Sequence, residues 1–158
     1  MAVMVSNTKT SITRRTPRSE RGAALLEAAI TIPILLLIAV GIFEFGRAYQ
    51  TWQVLTNAAR EGARMAVLPN TSVSAVQSRA RDYMESGQLS NAATATVNVD
   101  RNVSIVVNGA NVPASQVTVQ YPFDFIMLQP VARLVNPNST AGQSLTMVAS
   151  SVMRNEQQ

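Results

Sequence analysis

The feature that most limits what this chain can fold into is the run Ala28 to Phe43, AAITIPILLLIAVGIF, which contains no charged residue. If Glu27 is tolerated, the apolar stretch begins at Ala23. Its 21 residues, as a helix rising about 1.5 Å per residue, reach roughly 30 Å, the thickness of a bilayer's hydrocarbon core. A segment of this length and polarity is expected to span a membrane. Pro33 removes one backbone hydrogen bond within it and is expected to kink the helix. Gly41 and Gly46 are five apart and do not make the spacing of a GxxxG packing motif.

Charge distribution orients the span. The chain has 13 Lys and Arg against 9 Asp and Glu. Lys9, Arg14, Arg15, Arg18 and Arg21 fall in the first 22 residues, which hold only Glu20 as an acid. The remainder is balanced, so the basic character belongs to the leader, and a nucleic-acid surface on the folded part loses its support. Basic residues before the apolar run place the N-terminus in the cytoplasm and the C-terminus outside. The expected organisation is therefore a cytoplasmic leader at 1–22, read as disordered, a transmembrane helix at 23–46, and an exterior domain at 47–158. A cleaved secretory signal is the competing reading, but the run ends in Gly41-Ile42-Phe43-Glu44-Phe45-Gly46, without the small-residue triplet such cleavage requires.

The chain has no Cys and no His. Disulfides, thiol chemistry, Cys or His metal sites and imidazole-dependent catalysis are excluded. Acid–base work would fall on Glu27, Glu44, Glu61, Asp82, Glu85, Asp100, Asp124, Glu156 or tyrosines; the first two lie in or beside the membrane, and the others show no paired spacing. The 7 glycines form no phosphate-binding loop. No catalytic residue, metal or cofactor is expected, and the chain is not expected to be an enzyme.

Glu27 is the unexpected residue, because a carboxylate near the bilayer centre costs roughly 2.5–3.5 kcal/mol. One account places it at the cytoplasmic edge near Arg21. The other has cleavage between Gly22 and Ala23 free an α-amino group four residues earlier on the same helical face, where ammonium and carboxylate can neutralise each other within or between chains.

Arg21-Gly22-Ala23-Ala24-Leu25-Leu26-Glu27 resembles the prepilin peptidase motif of type IV pilins. With Gly41-Ile42-Phe43-Glu44-Phe45-Gly46-Arg47 and Asn57-Ala58-Ala59-Arg60-Glu61-Gly62-Ala63-Arg64, the segment from Arg21 to Ala66 resembles the TadE-like family of the tight-adherence pilus system. Two positions depart from the usual pattern: Ala28 stands where Flp-type sites carry Tyr, and residue 23 is Ala rather than an aromatic or Met. The resemblance implies a pseudopilin or minor pilin in the bacterial inner membrane or in a pilus. Gly22 and Ala23 would flank the processing site and Glu27 would act in assembly. The implied partners are a prepilin peptidase, other pilins and pilus assembly proteins, and inner-membrane lipid. The alternative is a permanently anchored, unprocessed periplasmic binding or scaffold module of a secretion system.

Beyond the membrane, Tyr49, Trp52, Leu55, Ala59, Gly62, Ala63 and Ala66 recur at helical steps, so one helix from about Ala24 to Val67 is expected. Arg60, Glu61, Gly62 and Arg64 are the candidate interface; a solvated charged face is the other reading. Glu61 and Arg64 are spaced to pair. Pro69 stops the helix. A second helix is expected over Ser72 to Ser86, with Ser72 or Ser74 as N-cap and Gly87 as C-cap. Strand alternation then appears at Ala95–Val99, Val103–Val107, Gln116–Tyr121 and Ser144–Met153. Asp100-Arg101-Asn102 is read as a hairpin turn that could also help hold a cation, Pro122 as the end of a strand, Pro130 as an interruption of the next run, and Phe123–Leu128 as core or subunit contact. The resulting fold class is α+β: a long N-terminal membrane helix continuing into a helix packed on a small antiparallel sheet of three or four strands, the general layout of a pilin.

Overall fold

A computed structural model describes residues 17–155. The order is α1 (Pro17–Ala66), α2 (Val73–Ser86), a short 3-10 turn (Ala92–Thr94), β1 (Thr96–Val107), β2 (Ala110–Phe123), α3 (Leu128–Val135) and β3 (Leu145–Arg154). The three strands form one antiparallel sheet in the order β1-β2-β3. The expected α+β arrangement is present. Contacts divide the chain into one unit up to Leu36 and a second from Leu37.

In the first unit, α1 is described from Pro17 onward. The end of the leader, expected to be disordered, is thus helical from Pro17 to Gly22, while residues 1–16 lie outside the described residues. Leu25, Leu26, Ile30, Ile34 and Leu35 are all exposed. Glu20–Ala66 is, among the described residues, the one helix long and apolar enough to cross a membrane.

In the second unit the core lies between α1, α2 and the sheet. Leu55, Ala58, Ala59, Ala63 and Ala66 of α1 are buried with Val76, Ala80 and Met84 of α2 and Val97, Val117, Val119, Tyr121 and Phe123 of the sheet. Alanines dominate the α1 contribution because short side chains let helix axes and sheet approach closely. Gly62 is one close point of this contact. A Cβ built there would lie 3.1 Å from Val117 Cγ1 on β2 and 3.5 Å from Ala80 Cβ on α2.

The buried face of α1 differs from the expected stripe at its start. Tyr49 and Trp52 are exposed, and the buried positions are Val40, Glu44, Thr51 and Leu55. Helical spacing fits both series equally. The one continuous with the small residues at 58, 59, 62, 63 and 66 is the one the sheet covers.

Ser72 caps α2, its Oγ accepting from the Ala75 amide at 3.1 Å, which satisfies one of the orphan donors of the first turn. At the other end Leu89 N–H donates to the Met84 carbonyl and Gln88 N–H to the Glu85 carbonyl. Gln88 has φ +61°, so it, not Gly87, is the left-handed residue of a Schellman closure. Gly87 is required for another reason: a Cβ there would meet Val54 Cγ1 at 2.6 Å.

The sheet has three strands because β1 runs unbroken through Asp100-Arg101-Asn102, against the expected hairpin turn. Asp100 pairs with Gln116 and Val103 with Ala114, so two residues oppose Ser115 in a β-bulge. Asn102 N–H donates to Asp100 Oδ1 at 2.9 Å and Arg101 Nη2 donates to the Thr71 carbonyl at 2.6 Å. The turn between β1 and β2 is Asn108-Gly109, with φ +51° and +80° and Val107 paired to Ala110, the two-residue hairpin geometry that Asn-Gly favours.

Both prolines read as breaks are accommodated. Pro122 lies within β2, paired with Thr146 of β3. β1 has already ended, its Thr96 pairing with Gln120, so the missing N–H costs no ladder bond on that side. Pro130 sits in the first turn of α3, where amides lack intrahelical partners. Phe123 is buried and Phe125 is partly buried against it, the two rings meeting edge to face at 5.1 Å. Ile126 and Met127 are exposed. At the C-terminus Arg154 closes β3, and Glu156 lies outside the described residues.

Candidate assembly surface

Ala23 and Glu27, four residues apart, occupy one face of α1, and with Gly22 they are exposed. A Cβ at Gly22 would meet nothing within 4 Å. Among the described residues, the ion pairs are Glu44–Arg47, Glu61–Arg64 and Glu61–Arg79. Glu27 is in none of them, Arg21 included.

The four residues of the 60–64 block separate. Glu61 takes Arg79 of α2 on Oε1, at 3.1 Å from Nε and 2.8 Å from Nη2, and lies 3.6 Å from Arg64. Pairs as solvated as these are worth at most about 1 kcal/mol. Arg60 and Arg64 are exposed, whereas Gly62 is buried beneath α2 and β2. Thus Arg60 and Arg64 are available to another molecule, Glu61 is shared with α2, and Gly62 is occupied by the chain's own core.

Glu44 is the residue that sequence reasoning left as an acid in or beside the membrane, without a role. It is 1% exposed. Its Oε1 accepts from the amides of Ile126 at 2.7 Å and Met127 at 2.6 Å, and its Oε2 is bonded by Arg47 Nη1. Arg47 continues to the Asp124 carbonyl at 3.4 Å and lies over the Phe123 ring with its guanidinium carbon 5.1 Å from the centroid. Charge-assisted bonds from two amides and a guanidinium complement a carboxylate fully. The arrangement ties residues 123–127, and the start of α3, to α1. The i, i+3 spacing of Glu44 and Arg47 was the only local signal for it.

This pairing also changes how the apolar surface is bounded. Between Ala28 and Arg60 the only charged residues are Glu44 and Arg47, and both are turned toward the domain. Ile42, Phe45, Tyr49 and Trp52 form the opposite, exposed stripe. The uncharged outer face of α1 therefore extends beyond the point where the sequence run stops.

An uncovered apolar helix leading into a small helix-and-sheet domain defines the class: a chain with, among its described residues, one segment able to anchor it in a membrane. Residues 22–64 match the family described as TadE-like protein. The match takes in most of α1 and none of the sheet. No curated protein and no solved structure matches the chain.

Proposed function

We propose that this chain is a structural, non-enzymatic subunit of a tight-adherence pilus, a pseudopilin or minor pilin, inserted in the inner membrane with its leader in the cytoplasm. The observation that carries this reading is the coincidence of the TadE-like match with a helix whose apolar side chains are left uncovered. Such a surface is stable in lipid before assembly and against neighbouring pilin helices afterwards, where close van der Waals packing replaces lipid contact.

Processing would fall after Gly22. The bond lies inside α1, so a peptidase must unwind the helix locally. Glycine is the residue that makes this least costly, being worse than Ala in a helix by about 1 kcal/mol. The new amino group of Ala23 would then lie one turn before Glu27. A carboxylate among apolar helices is penalised until it meets a cation, which makes Glu27 a registry device between subunits.

Intact mass of the membrane-extracted protein, from cells with and without the peptidase, tests processing. Peptidase-dependent loss of residues 1–22 is expected, and an unchanged full-length mass in the cognate host transfers the weight to the permanently anchored module. Registry has its own test. Glu27→Ala is expected to insert normally but to yield few or no pili, and normal piliation in that variant removes the registry role.

A further inference from the structure

We propose that α3 and the two residues before it form a membrane-surface footprint, by which the exterior domain rests on the phospholipid bilayer it is anchored in. The inference rests on the reading of α1 as a membrane span. It concerns where the domain lies once it has emerged.

The level of α3 is set by Glu44. This residue directly follows Phe43, the last of the apolar run, so in the spanning reading it sits at the bilayer boundary. Its carboxylate holds the amides of Ile126 and Met127 within 2.7 Å. The start of α3 is therefore pinned at the depth where α1 leaves the hydrocarbon, whatever the rest of the domain does.

What is pinned there suits a lipid surface. Ile126 and Met127 are exposed, Leu134 is 84% exposed, and Phe45, beside Glu44 on α1, is 74% exposed. Met127, Pro130 and Leu134 recur at three- and four-residue steps, one uncovered stripe of a short amphipathic helix. Ala132 on the opposite side is buried. Exposed large apolar side chains in a loop and helix of this kind are costly in water and favourable at the boundary of headgroups and acyl chains. From Phe125 to Arg154 the chain contains no acidic residue, and Arg133 flanks the stripe. A cation there meets the negative potential of anionic headgroups. A second pilin is the other conceivable occupant, and the experiment separates the two.

The chain has one tryptophan, Trp52, so single-tryptophan reporters can be built in the full-length protein carrying Trp52→Phe. Three are needed in proteoliposomes of phosphatidylethanolamine and phosphatidylglycerol with brominated acyl chains: Leu134→Trp at the footprint, Ile38→Trp within the span, and Val106→Trp, exposed near the Asn108-Gly109 turn. All three positions are more than half exposed, so the fold should accept them. The expected result is blue-shifted emission and loss of most intensity to brominated lipid at 134 and 38, with 106 unquenched. Quenching at 38 without quenching at 134 overturns the footprint and leaves the span intact. A blue shift at 134 without bromolipid quenching overturns it in favour of a protein neighbour. No quenching at 38 or 134 overturns both the span and the footprint. Equal quenching at 106 and 134 also overturns the proposal, since contact would then not be confined to α3.

Discussion

Replacing Glu44 with Ala is expected to detach the segment from Asp124 to Val135 while leaving the three-stranded sheet folded. The carboxylate is 1% exposed and receives the amides of Ile126 and Met127 together with Arg47. Removing it strands two amide donors, each costing about 1–3 kcal/mol if it stays buried. The loop can relieve that cost by moving into solvent, and Arg47, 30% exposed, can rehydrate. A local loss of about 2–4 kcal/mol is therefore expected. Glu44→Gln retains one acceptor for the amides but turns an NH2 toward Arg47, losing that bond along with the charge, so its cost should be about 1–2 kcal/mol. Hydrogen exchange reads both variants directly. The amides of Ile126 and Met127 should exchange fastest in Glu44→Ala and at an intermediate rate in Glu44→Gln, with those of Val117 and Val119 unchanged. If Glu44→Ala leaves Ile126 and Met127 as protected as in the parent chain, the carboxylate does not hold this segment.

The same residue shows why part of the fold was legible and part was not. Features fixed by neighbours in sequence could be read: the Ser72 cap, the end of α1 near Pro69 and the apolar run itself. Each depends on a few consecutive residues meeting their own backbone. Glu44 depends on amides 82 and 83 positions away, and nothing near it in sequence announces them.

Prolines misled for a related reason. Pro122 and Pro130 break a strand or helix only where a neighbour or a preceding turn needs their N–H. In this fold β1 ends before Pro122, and Pro130 falls in a first turn, so α3 was missed. The bulge at Arg101-Asn102 reads locally as a turn, since Asp100 does bond the Asn102 amide. Only the pairing of Val103 with Ala114 beyond it shows that the strand continues. Of the assembly candidates, the motif around Gly22 and Glu27 was legible as a pattern. The division of the 60–64 block into exposed arginines and a buried glycine needed the positions of α2 and β2.

That division gives the second large effect. Gly62→Leu is expected to destabilise the exterior domain severely, whereas Gly62→Ala should be close to neutral. In the alanine variant the new Cβ would lie 3.1 Å from Val117 Cγ1, a contact that a shift of a few tenths of an ångström relieves. Against that strain stands a gain in helix propensity of about 1 kcal/mol. Leucine adds three further carbons where Val117 and Ala80 are both fully buried. Overpacking of this kind costs typically about 1–3 kcal/mol and more where backbone must move, and here a helix faces both a strand and a second helix. The loss should appear as a lower urea midpoint at unchanged slope. Val117→Ala should restore part of the stability of Gly62→Leu although it destabilises the parent, because the two side chains compete for one volume. An intermolecular role for Gly62 gives the opposite pattern: Gly62→Leu would leave the subunit's unfolding unchanged, Val117→Ala would rescue nothing, and only pilus assembly would fail.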